Sequence, residues 1–166
     1  MRGVVVTRNR ITVLLATTAL AAALAWWWWR PEHQLRRSWR DLLSAVDARN
    51  TTRLGRLIAS DYTDRWGNTR PIVLEDAAGA FFRVENLKLH AEQVSYEIQQ
   101  DHATITAILR VDVTGDFRAD EFRVEVNRLF SPFTFEWRHE SGYPGSWTLL
   151  RLDQPELNLG HLKNRW

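Results

Sequence analysis

The chain has 166 residues, is 45% hydrophobic and 25% charged, and has a formal net charge of +2. These are ordinary values for one globular domain with a short additional segment. Cysteine is absent, which excludes a disulfide framework, a thiolate metal site, a cysteine nucleophile and a lipid-modified cysteine.

The isoelectric point near 9.4 suggests a nucleic-acid partner, but the position of the charge argues against one. Arg2, Arg8, Arg10 and Arg30 are the only charged side chains in residues 1–30. Without those four, 18 of the 22 basic residues remain against 20 acidic ones, a net charge of −2. The basicity belongs to the N-terminal flank and no basic face of the nucleic-acid type is evident, so no nucleic-acid partner is expected.

Residues 1–10 form a short basic lead. Residues 11–29, ITVLLATTALAAALAWWWW, contain no charge. As a helix this stretch measures about 28 Å, close to the ~30 Å of a bilayer's hydrocarbon core. Trp26, Trp27, Trp28 and Trp29 suit the headgroup level, where indole is half buried and its N–H finds a partner. Arg30 belongs to the same membrane interface, and Pro31 ends the span. A cleaved signal peptide is the rival reading, since Ala23-Leu24-Ala25 fits the A-x-A pattern. Cleavage there would leave four tryptophans exposed at a new N-terminus, so the membrane anchor is favoured. Arginines flank both sides and nearly balance. The lead is too short to be a domain, so a single-pass protein is expected, with its N-terminus inside and its domain outside. A bacterial inner membrane facing the periplasm is the favoured address, with the lipid bilayer as a partner.

Residues 34–48 read as an amphipathic helix with Leu35, Trp39, Leu42, Leu43 and Val46 on one stripe. Arg36, Arg37 and Arg40 lie elsewhere on its surface, as a solvated face or as contacts to anionic headgroups. Asn50 and Thr51 offer an N-cap for a short second helix with Leu54, Leu57 and Ile58 on its apolar edge. Asn50-Thr51-Thr52 also fits the glycosylation sequon, a weak match. Gly67 marks a turn in the polar, aromatic stretch 60–70, and Pro71 suits the first turn of a third helix. Leu74, Ala77, Ala78, Phe81 and Phe82 are expected on that helix's buried side.

After Phe82 the apolar period changes to two. Leu87, Leu89, Val94, Tyr96 and Ile98 make one strand, with a bulge expected near residues 91–93. Ala103, Ile105, Ala107, Leu109, Val111 and Val113 make a second, long strand with one buried face. Residues 116–121 read as a polar connection. Val124 and Val126 are expected to begin a third strand that Ser131-Pro132 interrupts and Phe133, Phe135 and Trp137 continue. Residues 141–145 form a hairpin loop, residues 147–153 the returning strand, and the chain from Pro155 onward a tail. The segments are therefore a lead (1–10), a transmembrane helix (11–29), a domain (34–157) and a tail (158–166).

Helices first and a bent antiparallel sheet after describe an α+β domain in two layers. Three stretches carry a family resemblance: Asp61-Tyr62-Thr63-Asp64-Arg65-Trp66-Gly67; the strand 103–113 preceded by Asp101-His102; and Phe135-x-Trp137 with Gly145-Ser146-Trp147-Thr148-Leu149. On these the chain resembles the NTF2-like (cystatin-like cone) superfamily, which includes SnoaL-like proteins, over residues 34–157. The resemblance implies three helices on a curved four-stranded antiparallel sheet enclosing a conical pocket. Its members include isomerases and dehydratases, transport factors, binding modules and membrane-anchored periplasmic domains.

An acid or base inside such a cone must be titratable and desolvated. Tyr62, Asp61, Asp64, His90, His102 and His139 are the candidates for that role, and none has a pairing that transfers from the isomerases, so no catalytic residue is assigned. The scattered histidines offer no metal-ligand spacing, and Gly145-Ser146 lacks the nucleophile-elbow context. No metal and no cofactor is expected. The aromatics Tyr62, Trp66, Phe81, Tyr96, Phe135, Trp137 and Trp147 are the candidate ligand-binding set, with a packed core as the alternative. The expected function is a membrane-anchored, non-catalytic domain that binds a partner protein or a small apolar ligand at the cell envelope. A homodimer or an envelope protein would be its partner. The alternative is an isomerase- or dehydratase-type enzyme using the cone.

Overall fold

A computed structural model describes Val13 and residues 16–20, 30–140 and 147–157. Helix α1 (Pro31–Asp47) starts with Pro31 in its first turn and buries Leu35, Trp39, Leu42 and Ala45 on one stripe. Helix α2 (Thr51–Leu57) starts where expected, with Asn50 Oδ1 accepting the Arg53 N–H at 2.8 Å. Helix α3 (Arg70–Arg83) has Pro71 in its first turn. Strand β1 (Val84–Gln99) follows without a loop and pairs antiparallel with β2 (His102–Gly115). Helix α4 (Phe117–Asn127), β3 (Phe133–His139) and β4 (Trp147–Asp153) complete the domain. The sheet order is β1-β2-β3-β4, with antiparallel pairing throughout.

β2 is the spine of the core. Ala103, Ile105, Ala107, Leu109, Val111 and Val113 are all buried, as their period of two predicts. The pairing of β1 with β2 shifts between Glu92 and Ser95, where Gln93 takes φ 51°. That bulge, at the place the sequence indicated, bends the long hairpin around the helices. Trp39 of α1 meets Phe135 of β3 edge to face at 4.8 Å between ring centroids, joining the helical layer to the sheet.

Three expectations are corrected. Val124 and Val126 lie in α4 and do not begin a strand. Asp116 caps that helix, accepting the N–H groups of Arg118 at 3.0 Å and Ala119 at 3.2 Å. In α3, Phe82 is 92% exposed and Ala78 is exposed too, so the buried side is narrower than its apolar content suggested. Residues 155–157 are also tied to the domain, where a tail was expected to begin. Glu156 accepts the backbone N–H groups of Phe130 and Ser131, each at 3.0 Å, and the Ser131 hydroxyl. Gln154 is fully buried, donates to the Ser131 carbonyl, and accepts from the Glu156 and Leu157 amides.

Among the described residues no helix is long and apolar enough to cross a membrane. Val13 and residues 16–20 are helical with exposed side chains, but the rest of 11–29, including Trp26, Trp27, Trp28 and Trp29, lies outside the described residues. The described residues thus give the expected anchor no support. The hairpin loop 141–145 and the end of the chain from residue 158 also lie outside them.

Candidate functional site

α3 has no buried residue, unlike α1, and this opens the domain. Between α3, α4 and the first half of β1 lies a cavity of about 490 Å³. Ala77, Ala80 and Phe81 of α3 face Leu87 and Leu89 of β1 and Phe122 of α4 across it. Val46, Leu54 and Leu152, from α1, α2 and β4, complete an apolar wall. The volume is in the range of ordinary small-molecule sites. At one end the chain is tightly closed, because a Cβ on Gly115 would come within 2.6 Å of the Arg83 carbonyl oxygen. Glycine there lets the end of β2 approach the end of α3.

Charged groups also line the cavity: Glu75, Asp76, Arg83, Asp116 and Arg118. The three carboxylates belong to exposed residues, and Asp116 is engaged as the α4 cap. The buried polar residues of the domain are Gln34, Ser38, Asp64, Asn68 and Gln154, and none of them lines the cavity. The wall is therefore apolar, with ionisable groups at its exposed margin. A second depression, about 590 Å³, is lined largely by polar groups including Arg49, Asn86, Lys88 and Asp112. Its Asp47 is committed to the Leu89 amide at 2.8 Å and to Lys88 at 3.0 Å. It is more open to water and mostly polar, so the apolar cavity is the better ligand site.

Of the seven aromatics singled out from sequence, Phe81 reaches the cavity and the other six do not. Tyr62, Phe135, Trp137 and Trp147 are packed in the core. Burial, and the nearby charge of Asp64, push the Tyr62 phenol well above its usual pKa. Among the described residues the indole N–H groups of Trp137 and Trp147 have no hydrogen-bond partner. Tyr96 lies under the Arg36 guanidinium, 4.1 Å from its ring centroid. Trp66 donates its indole N–H to the Leu157 carbonyl at 3.0 Å.

The candidate acids and bases have structural settings. Asp64 accepts the Trp66 amide at 2.9 Å, the Asn68 amide at 2.8 Å and the Asn68 side-chain amide at 2.8 Å, which builds the turn before α3. Asp61 takes both guanidinium nitrogens of Arg138 at 2.8 Å, a pairing that lowers its pKa. His102 lies 2.9 Å from Asp101, and His90 lies 3.1 Å from Asp112. His139 meets the Trp147 ring edge to face at 5.1 Å. None of these residues lines the cavity. Among the described residues no group of three or more histidine, aspartate and glutamate side chains is placed to hold a metal ion. Ala80, Ala119 and Phe122 were missed from sequence. The available signal was Asp116 as an N-cap, which turns residues 117–127 into a helix facing α3.

No protein-family model and no curated protein matches the chain. Solved structures do. An NTF2-like protein from Cytophaga hutchinsonii superposes with a TM-score of 0.53 at 11% identity, over 74% of this chain and 95% of that one. A putative dehydratase of the NTF2-like family from Streptomyces avermitilis gives 0.55 at 16% identity, over 72% and 91%. A Bdellovibrio bacteriovorus protein gives 0.57 at 9% identity over 72% of this chain, which spans only 39% of that longer one. The described helices and four-stranded antiparallel sheet thus have the NTF2-like, cystatin-like fold.

Proposed function

We infer that the domain takes a small apolar ligand in the cavity between α3, α4 and β1, without a catalytic step. The observation behind this reading is the cavity itself: about 490 Å³, walled by aliphatic and aromatic side chains, with no buried polar residue on its lining. Burying apolar ligand surface against such a wall supplies the binding energy, and polar groups at the margin would orient the ligand. The charge-free residues 11–29 support a membrane-tethered setting for this binding, with the domain on the periplasmic side of a bacterial inner membrane. A bilayer is also a reservoir of apolar molecules.

A second reading, an isomerase- or dehydratase-type enzyme, has the comparison in its favour, since two fold neighbours are described as putative dehydratases. It requires a carboxylate at the margin, Glu75 or Asp76, to act on the bound molecule as acid or base. Fold likeness alone does not supply that step, because chemistry resides in the site.

The test is a thermal-shift series on the full-length protein with a panel of small cyclic hydrocarbons and ketones. Ala80→Trp, which fills the cavity, serves as the control. Binding predicts stabilisation by some members of the panel and its loss in Ala80→Trp. Stabilisation that survives the filled cavity contradicts the site. Turnover of a bound ketone that Glu75→Gln or Asp76→Asn abolishes would establish the enzyme reading instead.

A further inference from the structure

The charge of the chain is divided sharply between its helical entry and the rest. Residues 30–57 carry seven arginines against three carboxylates, a net charge of +4. Residues 58–157 carry 17 carboxylates against ten basic side chains, a net charge of −7. The positive block spans α1, α2 and the flanking Arg30 and Arg49, and it directly follows the charge-free residues 11–29; α1 itself balances Arg36, Arg37 and Arg40 with Glu32, Asp41 and Asp47.

On α1 the positive charge has a defined face. Arg36, Arg37 and Arg40 are exposed, and at 100° per residue they fall within a sector of about 100°. Arg37 and Arg40 lie on the side away from the buried stripe of Leu35, Trp39 and Leu42, whereas Arg36 sits at its flank, over the Tyr96 ring of β1. Arg36 is held by Glu32 at 2.9 Å. Arg37 and, on α2, Arg56 have no carboxylate partner among the described residues. Among the described residues Arg40 donates to the Arg36 carbonyl, at 3.3 Å, and meets no carboxylate. Arg36 and Arg40 are like charges one turn apart, an arrangement that costs an isolated helix stability and that a facing anionic surface would relieve. The rest of the domain is too acidic to make the whole molecule a general polyanion binder.

We propose that the arginine face of α1 docks on anionic lipid headgroups and holds the domain flat against the bilayer that its N-terminal segment enters. This rests on the membrane reading of residues 11–29 and adds a second, electrostatic contact to it. The two contacts differ in kind. Insertion of an apolar segment is indifferent to headgroup charge, whereas docking of arginines requires anionic lipid and weakens with salt. A juxtamembrane arginine near an anionic surface strengthens binding roughly fivefold, so reversing two of them weakens docking more than tenfold.

The absence of native cysteine makes the test clean. Full-length protein carrying Ala48→Cys, an exposed position after α1, is labelled with a donor dye. It is mixed with vesicles containing acceptor-labelled lipid. One set is phosphatidylcholine alone, and in the other part of that lipid is replaced by phosphatidylglycerol. Flotation with the neutral vesicles reads the apolar segment. Energy transfer that is stronger on the anionic vesicles, and that falls with added salt and in Arg37→Glu/Arg40→Glu, reads the face. The expected result is flotation on both sets, with strong transfer only on the anionic one. Arg128→Glu/Arg151→Glu, which changes net charge equally on other surfaces, should leave the transfer as it was. Failure to float on neutral vesicles, with arginine-dependent transfer on anionic ones, would remove the tether and keep the face. Equal transfer on both lipid sets overturns the proposal, as does an equal loss in the two double variants. Arginine-dependent binding of single-stranded RNA that exceeds binding to the anionic vesicles would overturn it as well, in favour of a nucleic-acid surface.

Discussion

Asp64 shows how one side chain fixes the path into α3. Its carboxylate collects two backbone amides and the Asn68 side chain while buried to 6% exposure. Asp64→Ala leaves those donors without an acceptor and is expected to cost about 3 kcal/mol, read as a lower urea midpoint at unchanged slope. Glu156 works at a longer range. Hydrogen bonds from the Ser131 side chain, first, and from the Phe130 and Ser131 backbones hold its pKa below the usual carboxylate value. A depressed pKa stabilises the fold above the unfolded-state value, near about 4.3, and that contribution is lost as pH falls through the folded-state value. The difference in thermal midpoint between wild type and Glu156→Gln should therefore be constant near neutrality and shrink on acidification below pH ~4.3. The turn itself was legible in the sequence, because a polar stretch with Gly67 after a short helix has few other uses. Glu156 was not legible, because its partners lie 25 and 26 residues back in the chain.

Asn127 carries an equivalent lesson for whole elements. β3 pairs with β2 only as far as Ala107, and beyond it the edge of β2 needs another partner. Asn127, the last residue of α4, supplies one: its side chain accepts the Val111 amide at 2.7 Å and donates to the Val111 carbonyl at 2.9 Å. Arg110 ties the same junction by donating to the Asn127 and Leu129 carbonyls at 2.7 and 3.2 Å. Asn127→Ala should cost about 2 kcal/mol and speed amide exchange at Val111 before it affects β3. The strands β1, β2 and β4 were legible because each has a more buried and a more exposed face and hence a plain period of two. α4 was misread for a related reason. Its Val126 is buried while Val124 is 56% exposed, so two apolar residues at alternate positions imitated a strand. The cap at Asp116 held the contrary information.

At the scale of the molecule, a rigid and a loose half share one sheet. The rigid half is the packing of α1 on β1, β3 and β4, with Ile105, Trp137 and Trp147 essentially inaccessible. The loose half is α3, whose Leu74, Ala77 and Phe81 are only partly buried over the cavity. The aromatic residues chosen from sequence describe the first half well and the second poorly. Large side chains go where packing is complete, whereas a ligand site is a place where packing is left unfinished and is walled by small or aliphatic residues such as Ala80 and Leu87. No periodicity marks such a place, so the cup was legible in the sequence and its opening was not.

Ligand binding in this cavity requires that α3 be a lightly held wall that a ligand completes. Amide exchange over residues 70–83, measured on the full-length protein without and with a stabilising compound from the cyclic apolar panel, tests this most directly. The prediction is exchange in α3 much faster than in β2 for the free protein, and slowing confined to α3, α4 and the start of β1 on binding. Exchange in the free α3 as slow as in β2, or slowing in the bound state that leaves α3 untouched, would contradict it.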